Sequence, residues 1–207
     1  LDRINRANVH KLRLSWGYQL GRAAVAETTP LVVNGVMYVT RPVGDVIALD
    51  ARTGREFWAY QYERPKKLTL CCGANVRGAA VLGDRVFVGT LDAKLIALDA
   101  HSGHVLWTAE VAKASEGYSI TGAPLAVKDR IIVGVGGGEF GIRGFVDAYD
   151  AATGRRLWRT YTIPGPGEPG NETWKGDSWK TGGAPTGMTG SYDPELNLVD
   201  WGTGNPG

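Results

Sequence analysis

Val46-Ile47-Ala48-Leu49-Asp50-Ala51-Arg52-Thr53-Gly54-Arg55-Glu56-Phe57-Trp58 returns as Leu95-Ile96-Ala97-Leu98-Asp99-Ala100-His101-Ser102-Gly103-His104-Val105-Leu106-Trp107. It returns again as Val146-Asp147-Ala148-Tyr149-Asp150-Ala151-Ala152-Thr153-Gly154-Arg155-Arg156-Leu157-Trp158. The shared pattern, Ala-[Leu/Tyr]-Asp-Ala-x-[Ser/Thr]-Gly-x-x-x-Trp, recurs about every fifty residues, a spacing in the range of propeller blades. Each copy reads as a hairpin: an apolar strand ends at Asp, a Gly-containing turn follows, and a second strand carries Trp. The Asp side chain can accept from turn amides, and Gly supplies the positive φ.

Upstream of each copy lies a second hairpin, at Leu31–Val39 with Asn34-Gly35 as its turn, at Ala80–Val88 and at Leu125–Val133. Two hairpins make a four-stranded sheet with two edges and two faces to cover, and such sheets stack radially about an axis. Leu12–Trp16 reads as the last strand of an earlier blade, and the stretch from Met188 begins a further one. The expectation is an all-β propeller of antiparallel four-stranded blades, with about three and a half blades over residues 1–207 and no second domain. The Trp of each repeat is expected to wedge between neighbouring blades.

Thirty glycines and seven tryptophans agree with a turn-rich β protein. A net charge of +2 offers no footprint for nucleic acid. No apolar run is long enough to span a bilayer, and the first residues, Leu1-Asp2-Arg3, are not a signal peptide. The chain reads as a piece of something longer, with any export signal upstream.

The only two cysteines, Cys71 and Cys72, are adjacent, with Arg77 shortly after. Their Cα atoms stand about 3.8 Å apart, below the usual disulfide range of roughly 4.4–6.8 Å. A bond between them closes a strained ring that constrains almost no chain entropy, so its use is surface and stiffness. Two free thiols in a loop are the other reading. Gly136-x-Gly138-x-x-Gly141 spells a dinucleotide fingerprint, but a strand-like run and not a helix follows it, which rules out nicotinamide binding. His10, His101 and His104 lack partners at zinc-ligand spacing.

Taken together, Cys71-Cys72 to Arg77, Gly136 to Gly144, the insert Pro164 to Trp174, Gly176-Asp177-Ser178-Trp179 and Trp201-Gly202-Thr203-Gly204-Asn205-Pro206-Gly207 give the chain a clear likeness. It resembles the pyrroloquinoline-quinone (PQQ) dependent, or quinoprotein, alcohol dehydrogenases related to methanol dehydrogenase, which are eight-bladed propellers; about half of one is present here. The resemblance implies oxidation of a small primary or other alcohol by hydride transfer to metal-bound PQQ, with electrons passed to a cytochrome c or a quinone. It makes Glu139 and Asn205 metal ligands, for Ca2+ or a lanthanide, and hard oxygen donors suit such ions. It assigns cofactor contacts to Glu27, Cys71, Cys72, Arg77, Thr121, Gly137, Gly138 and Glu139. The resemblance pairs Arg77 with a cofactor carboxylate and brings the Gly137 and Gly138 amides to a cofactor carboxylate, where a side chain would obstruct. A Cys71–Cys72 ring covers one face of the quinone and implies an oxidising compartment, the periplasm.

Two departures stand out. Gly187 occupies the position where the resemblance leads one to expect a tryptophan under the quinone, with Met188 beside it, and Gly136 replaces a hydroxyl residue. The catalytic aspartate that the resemblance implies lies downstream, so no residue here takes that role and the piece by itself is expected not to turn over. The competing readings are a non-catalytic tryptophan-repeat scaffold of the periplasm and a degenerate quinoprotein without cofactor.

Overall fold

In the computed structural model, residues 3–21, 25–70 and 73–207 are described. Three four-stranded antiparallel sheets follow one another along the chain. The first blade holds β1 (Leu31–Val33), β2 (Val36–Thr40), β3 (Val46–Asp50) and β4 (Glu56–Tyr60). The second holds β5 (Ala80–Leu82), β6 (Arg85–Gly89), β7 (Lys94–Asp99) and β8 (Val105–Glu110). The third holds β9 (Leu125–Val127), β10 (Arg130–Gly134), β11 (Phe145–Asp150) and β12 (Arg156–Tyr161), and the hairpin β13 (Ser191–Asp193) and β14 (Leu198–Asp200) opens a fourth. Strand order follows chain order within every blade, as a meander requires.

The repeated turn is built as its residues dictate. Asp50 Oδ1 accepts from the amides of Arg52 and Thr53, both at 2.9 Å, and Asp99 and Asp150 do the same two and three residues on. The following glycines, Gly54, Gly103 and Gly154, have φ of +74°, +74° and +72°. Each is also the seat of a tryptophan from the preceding repeat. A methyl on Gly103 would stand 2.5 Å from the Trp58 ring, and one on Gly154 2.7 Å from Trp107. The indole N–H groups then donate to Ala100 O (3.0 Å) and Ala151 O (3.2 Å). Trp16 meets Gly54 and Ala51 O in the same way, but residues 12–20 form no strand. The tryptophan there docks without a ladder: β4, β8 and β12 each pair with the third strand of their own blade, and no described strand pairs with residues 12–20.

The core lies between blades and not inside a single sheet. Tyr38, Val46 and Ala48 meet Val86, Val88, Ile96 and Leu98 across the first gap; Phe87 and Leu95 meet Ile131, Val133, Phe145 and Tyr149 across the second. With both faces covered, the third strand of each blade is almost wholly buried.

One substitution in the repeat was not anticipated. Asp147 occupies the position of Ile47 and Ile96 and is fully buried. Arg159, which faces it in the position of Ala59 and Thr108, binds it through two hydrogen bonds of 2.7 Å, and Tyr149 Oη donates to it at 2.9 Å. The guanidinium also donates to Val111 O of the second blade at 2.8 Å and lies 3.5 Å from the centre of the Phe145 ring. Through that bond to Val111 O the buried charge pair ties the third blade to the segment that follows β8.

Candidate functional site

Before each first strand the chain runs extended across the end of the preceding blade's second strand. Val76 O accepts from Thr40 Oγ1 (3.0 Å), Ile120 N donates to Thr90 O (3.0 Å), and Thr186 N donates to Val135 O (2.7 Å). These entry segments bond to each other in turn. Thr29 N donates to Arg77 O (3.0 Å), Arg77 N donates to Thr121 O (2.9 Å), and Thr121 Oγ1 reaches Gly187 O only at 3.5 Å, the outer limit of a hydrogen bond. Thr29, Arg77, Thr121 and Gly187 are thereby linked from one blade to the next. Two residues earlier in the chain stand Glu27, Asn75, Ser119 and Pro185.

Arg77, Thr121, Gly137, Glu139 and Gly187 line one cavity of about 310 Å³, closed on its far side by Gly202, Thr203 and Gly204. A smaller recess of about 90 Å³, bounded by Asn75, Ser119 and Gly73, shares Arg77, Thr121, Gly136 and Gly137 with it. A third, apolar cavity of about 630 Å³ runs along the inner strands and ends at Glu27, Arg77 and Met188.

The predicted residues are placed as follows. Arg77 pairs with Glu27 at 2.7 Å, so each is the other's partner here. Gly137 has φ +118°, and a side chain there would run into Gly117 O; one on Gly138 would stand 2.9 Å from the Pro185 ring. The bareness that the resemblance reserved for a ligand is thus demanded already by the protein's own packing. Gly138 lines neither the cavity nor its recess. Glu139 is exposed, on the 3-10 turn Gly138–Phe140. Asn205 is exposed too, donates to Pro206 O at 2.9 Å and does not line the cavity, although its neighbour Gly204 does. The two loops meet on one proline: a methyl on Gly204 would stand 2.8 Å from the Pro185 ring. Among the described residues no group of three His, Cys, Asp or Glu gathers at a metal-binding spacing. Glu139 and Asn205 can thus supply only part of a coordination shell. Cys71 and Cys72 lie outside the described residues.

Gly187 has an ordinary φ, and a methyl there would meet its nearest neighbours, Gly136 Cα and Thr121 Oγ1, at 3.6 Å. Nothing in the backbone requires glycine, and the space beside it opens into the cavity.

Three residues that sequence reasoning passed over organise the site. Thr186 is 1% exposed; its Oγ1 accepts from Val135 N (2.8 Å) and donates to Phe145 O (2.5 Å), while its carbonyl accepts from Trp201 Nε1 (3.0 Å). It fixes the segment bearing Gly187 against the loop bearing Glu139. Ser119 and Asn75 are buried in the recess. The only signal in the sequence was their place in the entry segments, which becomes visible once the hydrogen-bond register aligns them.

Comparison with known proteins agrees with this geometry. Residues 1–207 match the PQQ family model for the glucose/ethanol/alcohol dehydrogenase beta-propeller domain, and the chain belongs to that family. It is 46% identical over 99% of its length to the quinohemoprotein alcohol dehydrogenase ADH IIB of Pseudomonas putida, covering 32% of that protein. It is 41% identical over its whole length to a lanthanide-dependent methanol dehydrogenase of Methylacidiphilum fumariolicum, covering 38% of it. Among solved structures it superposes on a europium-containing methanol dehydrogenase with a TM-score of 0.91 at 40% identity, covering all of this chain and 40% of that one. The chain spans between 30% and 38% of the curated relatives it matches. The expected fold and family are therefore as read from the repeats and motifs.

Proposed function

We propose that the protein carrying this chain oxidises a small alcohol, using PQQ held with Ca2+ or a lanthanide ion in the cavity between the entry segments. The observation that carries this is the convergence of Arg77, Thr121, Glu139 and Gly187, from three blades, on one cavity. The residues fit such a group. A guanidinium, a hydroxyl and a backbone amide present donors to carboxylates, and a buried amide oxygen, Asn75 Oδ1, has no partner among the described residues. Glu139 and Asn205 would hold the metal, which would supply Lewis-acid polarisation, and the quinone would supply a two-electron hydride acceptor for the alcohol.

This chain's own part is binding. Arg77, fixed by Glu27, holds a carboxylate; Thr121 and Gly137 complete that contact; Glu139 and Asn205 supply hard oxygens to the cation. The base that takes the alcohol's proton belongs to no residue here. A vicinal Cys71–Cys72 bond, a periplasmic location and a cytochrome or quinone acceptor complete the proposal. The test uses the full-length protein with PQQ, with and without Ca2+ or a lanthanide, following alcohol-dependent dye reduction. Metal-dependent turnover that is lost in Glu139→Ala is expected; a folded protein that binds no PQQ with any metal overturns the reading in favour of a scaffold or a degenerate relative.

A further inference from the structure

Asn75 is 6% exposed, and its Oδ1 is buried with no hydrogen-bond partner among the described residues. Buried polar groups are nearly always paired, so a lone amide oxygen beside a cavity marks a contact completed by something else. The recess it lines is otherwise furnished with hydrogen-bond donors: the Arg77 guanidinium, the Ser119 and Thr121 hydroxyls and the Gly137 amide. Among the side chains of the recess, Asn75 alone carries an acceptor oxygen without a hydrogen of its own. It also stands two residues before Arg77 and lines the recess together with Arg77, Ser119 and Thr121. Its position is that of a site residue on grounds independent of the missing partner.

We infer that Asn75 is a ligand-binding residue whose Oδ1 accepts from an N–H on the ligand, next to the carboxylate that Arg77 holds. The ligand class is a planar heteroaromatic carboxylate with a ring N–H adjacent to the acid group. PQQ contains such a unit, a pyrrole N–H flanked by ring carboxylates, and to that extent the inference rests on the proposed function. The contact itself depends only on the recess. Asn75 then selects for a ring donor, while Arg77, Thr121 and Gly137 select for the anion.

Two small probes separate these parts: pyrrole-2-carboxylate, and furan-2-carboxylate, which has the same shape but no N–H. In calorimetric or NMR titration, the full-length protein should bind the pyrrole acid about tenfold more tightly, equivalent to about 1.4 kcal/mol. Asn75→Leu and Asn75→Ala should bind both acids equally. Neither variant should melt lower without ligand, because each deletes an oxygen that has no partner. PQQ affinity should fall about tenfold in both. Equal binding of the two acids by the unaltered protein, or unchanged PQQ affinity in both variants, overturns the inference. If the unaltered protein prefers the pyrrole acid yet binds no PQQ, the inference stands and the quinone reading falls.

Discussion

Glu27 and Arg77, from the entry segments of adjacent blades, close an ion pair of 2.7 Å at the point where all three cavities or their rims meet. Both side chains remain partly exposed, at 43% and 28%. The pair is therefore worth little to stability, at most about 1 kcal/mol. Its effect is to fix the direction of a fork-shaped cation. Arg77→Lys should leave urea denaturation within about 1 kcal/mol of the parent but weaken PQQ binding by about 1.5–3 kcal/mol, the range for hydrogen bonds to charged groups. Equal affinity in equilibrium titration would remove Arg77 from the site.

Gly187 leaves a gap that the backbone does not require. Gly187→Trp should fold with an unchanged melting temperature, since the first carbon of the side chain meets only ordinary contacts at 3.6 Å. The indole should strengthen quinone binding by about 0.5–1.5 kcal/mol of stacking. Quenching of its fluorescence on PQQ addition checks the placement. A variant that melts lower, or whose added emission ignores the cofactor, would show that the gap does not accept a ring.

The buried Asp147–Arg159 pair predicts an uneven mutational response. Arg159→Leu strands a fully buried carboxylate and should cost about 3–5 kcal/mol. The triple change Asp147→Ile, Tyr149→Leu and Arg159→Ala rebuilds the apolar set Ile47, Leu49 and Ala59 of the first blade, and should be far less costly. Chemical denaturation of both variants decides it; a triple variant as unstable as the single one would refute the argument.

The three turn aspartates predict acid sensitivity. Amides of Arg52 and Thr53 hold the Asp50 carboxyl below the ordinary aspartate range; the hydroxyl and amide of Ser102 do so for Asp99, and those of Thr153 for Asp150. A lowered folded pKa means that the unfolded chain binds more protons, so stability rises with pH. The contribution is present above the ordinary value of about 3.9 and is lost as pH falls through the lower folded values. Melting temperature should therefore fall as pH drops below about 4, and Asp99→Asn should flatten part of that slope. A parallel pH profile in Asp99→Asn would count against this origin.

The blades were legible because their determinants are local. Asp and Gly act within one turn, the tryptophan lies within the same thirteen residues although it docks on the next repeat's glycine, and the pattern is stated three times. The Asp147–Arg159 pair was hidden by the same repetition. In a strand that alternates polar and apolar residues, a charged position reads as outward, and only a neighbouring blade makes it inward. Arg77, Thr121 and Glu139 were found through likeness to a family, whereas Asn75, Ser119 and Thr186 carry no such flag. Their roles arise from contacts between entry segments some forty to seventy residues apart, which no single window of sequence contains. Residues 12–20 failed in the opposite sense: a strand-like sequence makes no ladder where the partner pairing is missing.

The backbone bonds from Thr29 to Arg77 and from Arg77 to Thr121 act as the teeth of a gear train. Each blade carries one contact residue and meshes with the next through the peptide group of that same residue. A lesion that opens one gap between blades, even at the outer tryptophans, must turn every contact residue by some fraction of that opening. The aperture of the pocket and the angular pitch of the wheel are thus a single mechanical variable. Core substitutions far from the ligand should accordingly register first as looser binding, before they register as unfolding.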